Sequence, residues 1–291
     1  MKIYNKFFKS HIPRVVTIGV FDGVHIAHQR IIEEVIKTAK RENKKSLVIT
    51  FKNHPEEVLS KLDIKWITSI SQKLNIFSEY GIDEVVLLKF TKQIYKMAPY
   101  EFIQKLKNLN ATTIVVGEDF KFGNKREGDI DTLKSMFNVI VIPQIKMNEC
   151  VVSSTLIREL IFEGNFDTAE KLLGRKYLVE GKVVKGNRYG TLIGYPTANI
   201  ITEQILPKDG VYQVEIIMNT TKFNGVSNIG YCPTFDKKKK TFEVHIINFN
   251  KNLYNKKINI IFKKRLRDEM KFSSPYELKK MIEKDIQLIN N

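Results

Sequence analysis

The chain has 291 residues, 43% of them hydrophobic and 27% charged, which excludes general disorder, collagen-like repeats and low-complexity tails. No apolar run approaches the ~18 residues of a membrane span. Residues 1–14 are basic and polar, and the two cysteines, Cys150 and Cys232, lie far apart; no secretion signal or disulfide framework is expected, and a reduced, cytoplasmic setting is.

The net charge of +16, from 48 Lys+Arg against 32 Asp+Glu, suits nucleic acid, anionic membrane or phosphorylated small molecules. The basic residues are dispersed apart from the run Lys237 to Lys240. That favours ordinary composition with nucleotide chemistry over nucleic-acid binding.

The first half alternates strand and helix. Strands are predicted at Val15–Val20, Leu47–Phe51, Glu84–Leu88, Thr112–Gly117 and Val139–Ile142. Helices are predicted at His25–Arg41, Ser69–Tyr80 and Pro99–Asn108, the last with proline at its first position. Such a chain makes a parallel sheet with right-handed crossovers, and ligands bind outside the carboxyl ends of its strands. Two more helices follow, Ser154–Glu163 and Phe166–Leu173. From there β signals dominate: Lys176–Val184, Gly210–Met218, Phe223–Ile229, Thr241–Phe249 and Lys257–Phe262. Five or six antiparallel strands predict a small barrel, closed by a helix at Pro275–Ile289. The expected domains are 1–173 and 174–291.

In Gly19-Val20-Phe21-Asp22-Gly23-Val24-His25-Ile26-Ala27-His28 a strand enters a tight turn that opens a helix. Free N–H groups and the helix dipole make such a start an anion site. His25 and His28 share one helix face and suit charge developing on a phosphate. Their spacing also fits two zinc ligands, but the remaining His and Cys offer no third-ligand pattern. Ser153-Ser154-Thr155 stands at another helix start, where hydroxyls cap the helix or hold phosphate, and Arg158 follows within reach of phosphate oxygens.

These segments resemble, in order, the motifs of the HxGH nucleotidyltransferases and, more closely, of the bacterial bifunctional riboflavin kinase/FMN adenylyltransferase (FAD synthetase) family. Thr50-Phe51-Lys52-Asn53-His54-Pro55 resembles the second nucleotide-site motif. Gly117-Glu118-Asp119-Phe120-Lys121-Phe122-Gly123 resembles the third, and Ser153 to Arg158 the phosphate motif. The resemblance implies a Rossmann-like α/β nucleotidyltransferase domain with His25 and His28 catalytic. It implies ATP and phosphate contacts at Gly19, Phe21, Asp22, Gly23, Ser153, Ser154, Thr155 and Arg158, and flavin contacts at His54, Pro55 and Asp119. Ala27 stands where the family has glycine, Asn53 where proline is usual, and Leu156 where arginine is common.

In the second half Gly186, Gly190 and Gly194 precede Tyr195-Pro196-Thr197-Ala198-Asn199. Glycines at that spacing let backbone approach phosphates, but Asn187 occupies the position where a P-loop needs lysine. Pro196 to Asn199 resembles the PTAN motif of riboflavin kinases, which implies Thr197 and Asn199 at Mg²⁺ and Gly186, Gly190 and Gly194 at ATP phosphates. Gly225 to Phe235 matches the next family segment. Phe242-Glu243-Val244-His245 places Glu243 at the kinase base, on the same strand face as His245. Arg267-Asp268-Glu269 and Lys271-Phe272 resemble the closing segment, implying flavin contacts at Arg267 and Phe272.

The resemblance therefore implies an antiparallel barrel that phosphorylates riboflavin to FMN and an α/β domain that adenylylates FMN to FAD. The substrates would be small molecules, with ATP in both reactions and Mg²⁺ as cofactor. Two alternatives stand: a riboflavin kinase with a weakened adenylyl half, and a basic nucleic-acid-binding protein.

Overall fold

The computed structural model describes residues 1–60, 64–186, 189–231 and 240–290. Asn187, Arg188, Cys232 to Phe235 and Lys237 to Lys239 lie outside that set. The chain forms two compact units, Met1–Ser154 and Thr155–Asn291.

The N-terminal unit is a six-stranded sheet of β1 (Lys2–Tyr4), β2 (Arg14–Ile18), β3 (Lys45–Phe51), β4 (Glu84–Leu88), β5 (Ala111–Gly117) and β6 (Asn138–Ile142). All neighbours pair parallel, in the order β1-β4-β3-β2-β5-β6. The intervening helices are α1 (Ile26–Arg41), α2 (Pro55–Leu59), α3 (Ile70–Tyr80), α4 (Lys92–Tyr95), α5 (Pro99–Asn108) and α6 (Ile130–Lys134). The strands are apolar on both faces because each face meets helices. Val15, Val48 and Val85 pack with Ile32 and Val35 of α1 and Phe77 of α3. Val16, Leu47 and Val86 pack on the other side with Phe102 and Leu106 of α5 and Leu133 of α6. Strand order reverses between β2 and β5, which makes that crevice the switch point where ligands bind. A hairpin of β7 (Lys146–Met147) and β8 (Cys150–Val151) turns through Asn148 and Glu149, both at positive φ.

In the C-terminal unit, α7 (Ser154–Glu163) and α8 (Phe166–Leu173) precede a closed barrel. Its strands are β9 (Leu178–Val184), β10 (Thr197–Ile201), β11 (Gly210–Met218), β12 (Thr221–Tyr231), β13 (Lys240–Ile246) and β14 (Lys257–Arg267). The order around the barrel is β10-β13-β12-β11-β14-β9, and every pair is antiparallel. Alternation fills the interior: Phe242, Val244 and Ile246 of β13 are buried, as are Ile258, Ile260 and Phe262 of β14. Phe166 of α8 stacks on Phe262, with ring centroids 5.5 Å apart. The short helix α9 (Tyr189–Leu192) lies between β9 and β10, and α10 (Pro275–Asn290) ends the fold.

The predicted α/β half and barrel are both present. Several boundaries differ: the strand expected at Val15–Val20 runs from Arg14 to Ile18 and gives way to the turn at Gly19, and the strand expected from Lys176 starts at Leu178. The strand expected from Thr241 to Phe249 stops at Ile246, because Asn248 turns the chain at φ 57°. The strand expected from Phe223 extends to Tyr231, and that from Lys257 extends to Arg267. The PTAN residues open strand β10, which short length and weak alternation conceal.

Candidate active sites

Between β2 and α1 the chain turns through Gly19–Val24, with Phe21 at φ 50° and Val24 at φ 38°. Non-glycine residues hold such angles only where surroundings fix them. Here the Gly19 N–H donates to the Ile49 carbonyl at 3.1 Å, and the Thr50 hydroxyl donates to the Val20 carbonyl at 3.0 Å. The buried Asp22 carboxylate accepts from the N–H groups of Ile67 (3.0 Å) and Thr68 (3.3 Å). The Ser154 hydroxyl donates to the Asp22 carbonyl at 2.9 Å. A Cβ at Gly19 would stand 3.1 Å from the Phe21 ring, so glycine there lets the ring fold back.

His25 caps α1: its Nδ1 accepts from the His28 N–H at 3.4 Å. That bond puts the ring proton of the neutral imidazole on Nε2. The two imidazoles stack with centroids 3.6 Å apart and planes at 18°. His25 is thus both cap and platform for His28, and Phe21 meets His28 edge-on at 5.1 Å.

These rings line a cavity of about 310 Å³. Its other walls are Gly19, Ala27 and Ile31, the β5 end Gly117–Phe120, residues 142–145, and Val151–Ser154. It sits at the carboxyl ends of β2 and β5 and the N-terminus of α1, where backbone N–H groups favour an anion. The structure brings Gly19, Phe21, His25, His28, Asp119, Ser153 and Ser154 to this one cavity. Asp22 and Gly23 lie behind it as part of the turn. His54 and Pro55 cap and open α2, off the cavity wall. Thr155 and Arg158 continue α7 past Ser154. Asn53, in place of proline, pairs in both directions with the Phe90 backbone, at 2.8 and 3.1 Å.

On the barrel, Thr197 stands opposite His245 and Asn199 opposite Glu243, so all four side chains share the outer face. The Thr197 hydroxyl donates to Glu243 Oε2 at 3.0 Å. Burial raises the Glu243 carboxyl above the usual range, against the lowering effect of that hydrogen bond. His245 Nδ1 lies 2.9 Å from the Pro196 carbonyl, which fits a supporting role. A Cβ at Gly186 would stand 2.0 Å from the Asn199 amide nitrogen, and one at Gly190 would stand 2.3 Å from the Tyr195 carbonyl. At both positions the backbone therefore comes close to Asn199 or Tyr195 only because no side chain intervenes, whereas Gly194 supplies a turn at φ 91°. Arg267 is held by the buried Asp285 of α10 in a forked pair, with Nη2–Oδ2 at 2.8 Å, and lies 5.9 Å from the Phe272 ring centroid.

Two participants escape motif reading. The Tyr195 hydroxyl donates to Glu283 of α10 at 3.2 Å; burial and that carboxylate raise the phenol. Lys73 is fully buried beneath the first loop. Its signal is a lysine on the apolar stripe Ile70, Leu74, Phe77 of α3.

A doubly wound sheet with a nucleotide-type crevice, followed by a barrel with a carboxylate beside hydroxyl and amide donors, defines a two-part phosphotransfer enzyme. The FAD synthetase family model matches residues 8–156 and the riboflavin kinase model residues 173–291. Curated proteins named bifunctional riboflavin kinase/FMN adenylyltransferase align over nearly the whole chain. The protein of Buchnera aphidicola subsp. Schizaphis graminum is 38% identical, covering 97% of this chain and 94% of its own. Those of Bacillus subtilis and Escherichia coli are 34% and 33% identical, covering 94% and 93% of this chain and 90% of each relative. A Streptococcus pneumoniae crystal structure described as a macrolide-efflux protein is 31% identical with TM-score 0.87, covering 100% of this chain and 99% of that one. Among the described residues of this chain, no helix is long and apolar enough to cross a membrane. The chain belongs to the bifunctional riboflavin kinase/FMN adenylyltransferase family. It is an enzyme of flavin cofactor biosynthesis that uses riboflavin, FMN and ATP as substrates.

Proposed function

We propose that residues 1–173 carry the adenylyl transfer and 174–291 the kinase reaction, with small molecules rather than nucleic acid as partners and the cytoplasm as location. In the barrel, Glu243 accepts the proton of the ribityl hydroxyl as its oxygen attacks the γ-phosphorus of ATP and ADP departs. A buried, raised carboxyl is a better base than an exposed one. Thr197 fixes its orientation.

Thr197 and Asn199 are the residues that would hold Mg²⁺. The donor set fits: hard oxygens of Thr197, Asn199 and Glu243 share one face, and Gly186 leaves the space a side chain would fill. Magnesium takes hard oxygen donors and commonly shares its shell with substrate phosphates. When bound, that ion neutralises phosphate charge.

In the α/β unit, FMN supplies its own nucleophile, since a phosphate monoester with a second pKa of ~6 is mostly dianionic at neutral pH. A phosphate oxygen attacks the α-phosphorus of ATP and the bond to pyrophosphate breaks. His28, stacked on His25, stabilises the charge on the α-phosphate, and the start of α1 with Ser153 and Ser154 binds phosphate oxygens. Arg158 serves the departing pyrophosphate.

The observation that carries the kinase assignment is the Thr197–Glu243 hydrogen bond with Asn199 directly opposite Glu243. Its test is the Mg²⁺ dependence of FMN formation. Thr197→Ala and Asn199→Ala should raise the Mg²⁺ concentration needed and leave FMN adenylylation unchanged. An unaltered Mg²⁺ requirement in both variants contradicts the assignment.

A further inference from the structure

Behind the adenylyl-transfer cavity lies a closed set of contacts that no motif names. Lys73 and Trp66 are both buried, at 0% and 5% exposure. Lys73 Nζ donates to the Val20 carbonyl at 2.8 Å and sits 4.3 Å from the centroid of the Trp66 ring. The other edge of this arrangement is His54, whose ring meets Trp66 at 5.4 Å. The residues after Trp66, Ile67 and Thr68, give their N–H groups to Asp22. One ammonium thereby touches the loop that carries His25 and His28 and, through Trp66, the segment of the second nucleotide motif.

We infer that Lys73 is a positioning residue for adenylyl transfer: its buried ammonium, held between the Val20 carbonyl and the Trp66 face, fixes the loop of the first nucleotide motif against the second. The inference rests on the assignment of the α/β cavity to that reaction. A lysine is an expensive side chain to bury, and the Asp22 carboxylate offsets only part of that cost. Structural filling of this place needs only a methionine or leucine. The ammonium adds a charge-assisted hydrogen bond to a carbonyl that Thr50 already satisfies and a cation–π contact.

The β2–α1 loop presents the Asp22 carboxylate, which favours the charged lysine; burial opposes it more strongly and brings the lysine down to about 8. β3 presents the uncharged Thr50 hydroxyl. His54 stands across Trp66, and His25 and His28 open α1. Imidazoles ordinarily titrate near about 6.5, so a transition of the Trp66 neighbourhood around pH 8 separates Lys73 from His54.

Trp66 is the chain's single tryptophan, so its emission reports on this one place, where Lys73 and His54 are its titratable neighbours. The experiment follows Trp66 fluorescence and kcat for FMN adenylylation from pH 6.5 to 9.5 in the full chain, with ATP, FMN and Mg²⁺ for the rate. Wild type should show one fluorescence transition near pH 8 and a fall in kcat with the same midpoint. Lys73→Met, checked by thermal melting, should lack the transition near pH 8. Its kcat should be reduced by about 10- to 100-fold with KM for ATP within about threefold, as for lost positioning rather than lost binding. Its riboflavin phosphorylation should equal wild type. A wild-type emission profile with no transition between pH 7 and 9, or a folded Lys73→Met enzyme with wild-type kcat, overturns the inference. His28→Ala separates the two levels of the argument. If it destroys adenylyl transfer while Lys73→Met does not, only the role of Lys73 falls; if it leaves the reaction intact, the cavity assignment falls and takes the Lys73 role with it.

Discussion

At the scale of single residues, burial decides which titrations matter. The Glu243 carboxyl is raised by desolvation, so the base form is lost as pH falls through a value above the usual carboxylate range. The acid limb of the kcat profile for FMN formation should lie above the ordinary glutamate value of about 4.3; a limb at or below it contradicts Glu243 as base. For Lys73 the sign runs the other way. Its ammonium is lowered from 10.5 to about 8. Below pH 8 both native and unfolded states are protonated and the cost of the buried charge stands in full. Between pH 8 and 10.5 the native state sheds a proton that the unfolded state keeps, and stability recovers. That difference is worth roughly 3 kcal/mol at most. Lys73→Met should therefore match or exceed wild-type stability in denaturant at pH 7 while its adenylyl transfer drops; a large destabilisation would make the lysine a structural residue. Ala27 is the third case. It lines the cavity where the family motif has glycine, so Ala27→Gly should tighten ATP binding in the α/β half and leave the kinase unchanged. The gain is opposed by added backbone freedom of about 0.5–1 kcal/mol at a helix position. An unchanged ATP affinity, read by calorimetry, means the methyl is accommodated.

At the scale of elements, β10 and the loop before it form one device. A Cβ at Gly186 would collide with the Asn199 amide, and one at Gly190 with the Tyr195 carbonyl. Gly186→Ala should therefore displace Asn199 and lower FMN formation about as much as Asn199→Ala does, without touching FAD formation from FMN. Equal kinase rates in Gly186→Ala and wild type would show that the loop yields. Much of this was legible in sequence. The βα alternation marks each main strand of the α/β half through its apolar run, because strands buried on both faces cannot hide. Alternation likewise marks β13, where Phe242, Val244 and Ile246 point inward and Glu243 and His245 outward. What stayed hidden is short or long-range. β1 is three residues and gains its pairing only from β4. β10 is five residues long and alternates only weakly, Thr197 and Asn199 outward against Ala198 and Ile200. The Lys73–Trp66–Asp22 set joins residues that only the fold brings together, although a lysine on an apolar helix face was its visible trace. Likewise Arg267 reads as a flavin contact in sequence, and only the structure shows the Asp285 fork that holds it.

At the scale of the whole molecule, two chemistries share ATP but use separate residues. The C-terminal unit starts at Thr155, and Phe166, Ala169, Leu172 and Leu173 of α8 are buried, with Phe166 on Phe262. A fragment of residues 155–291 should fold and phosphorylate riboflavin. One that begins at Leu173 leaves Phe262 and Tyr212 without Phe166 and should melt at lower temperature, by circular dichroism, even where it keeps kinase activity. Equal melting of the two fragments contradicts that role for α8. Glu243 and His28 are assigned to two independent reactions, which chromatography of the flavins formed from riboflavin or from FMN, with ATP and Mg²⁺, distinguishes. In folded enzyme, Glu243→Gln should fail to make FMN from riboflavin yet convert supplied FMN to FAD, whereas His28→Ala should turn riboflavin into FMN that accumulates. Loss of both reactions together in Glu243→Gln, with the fold intact, would contradict the account.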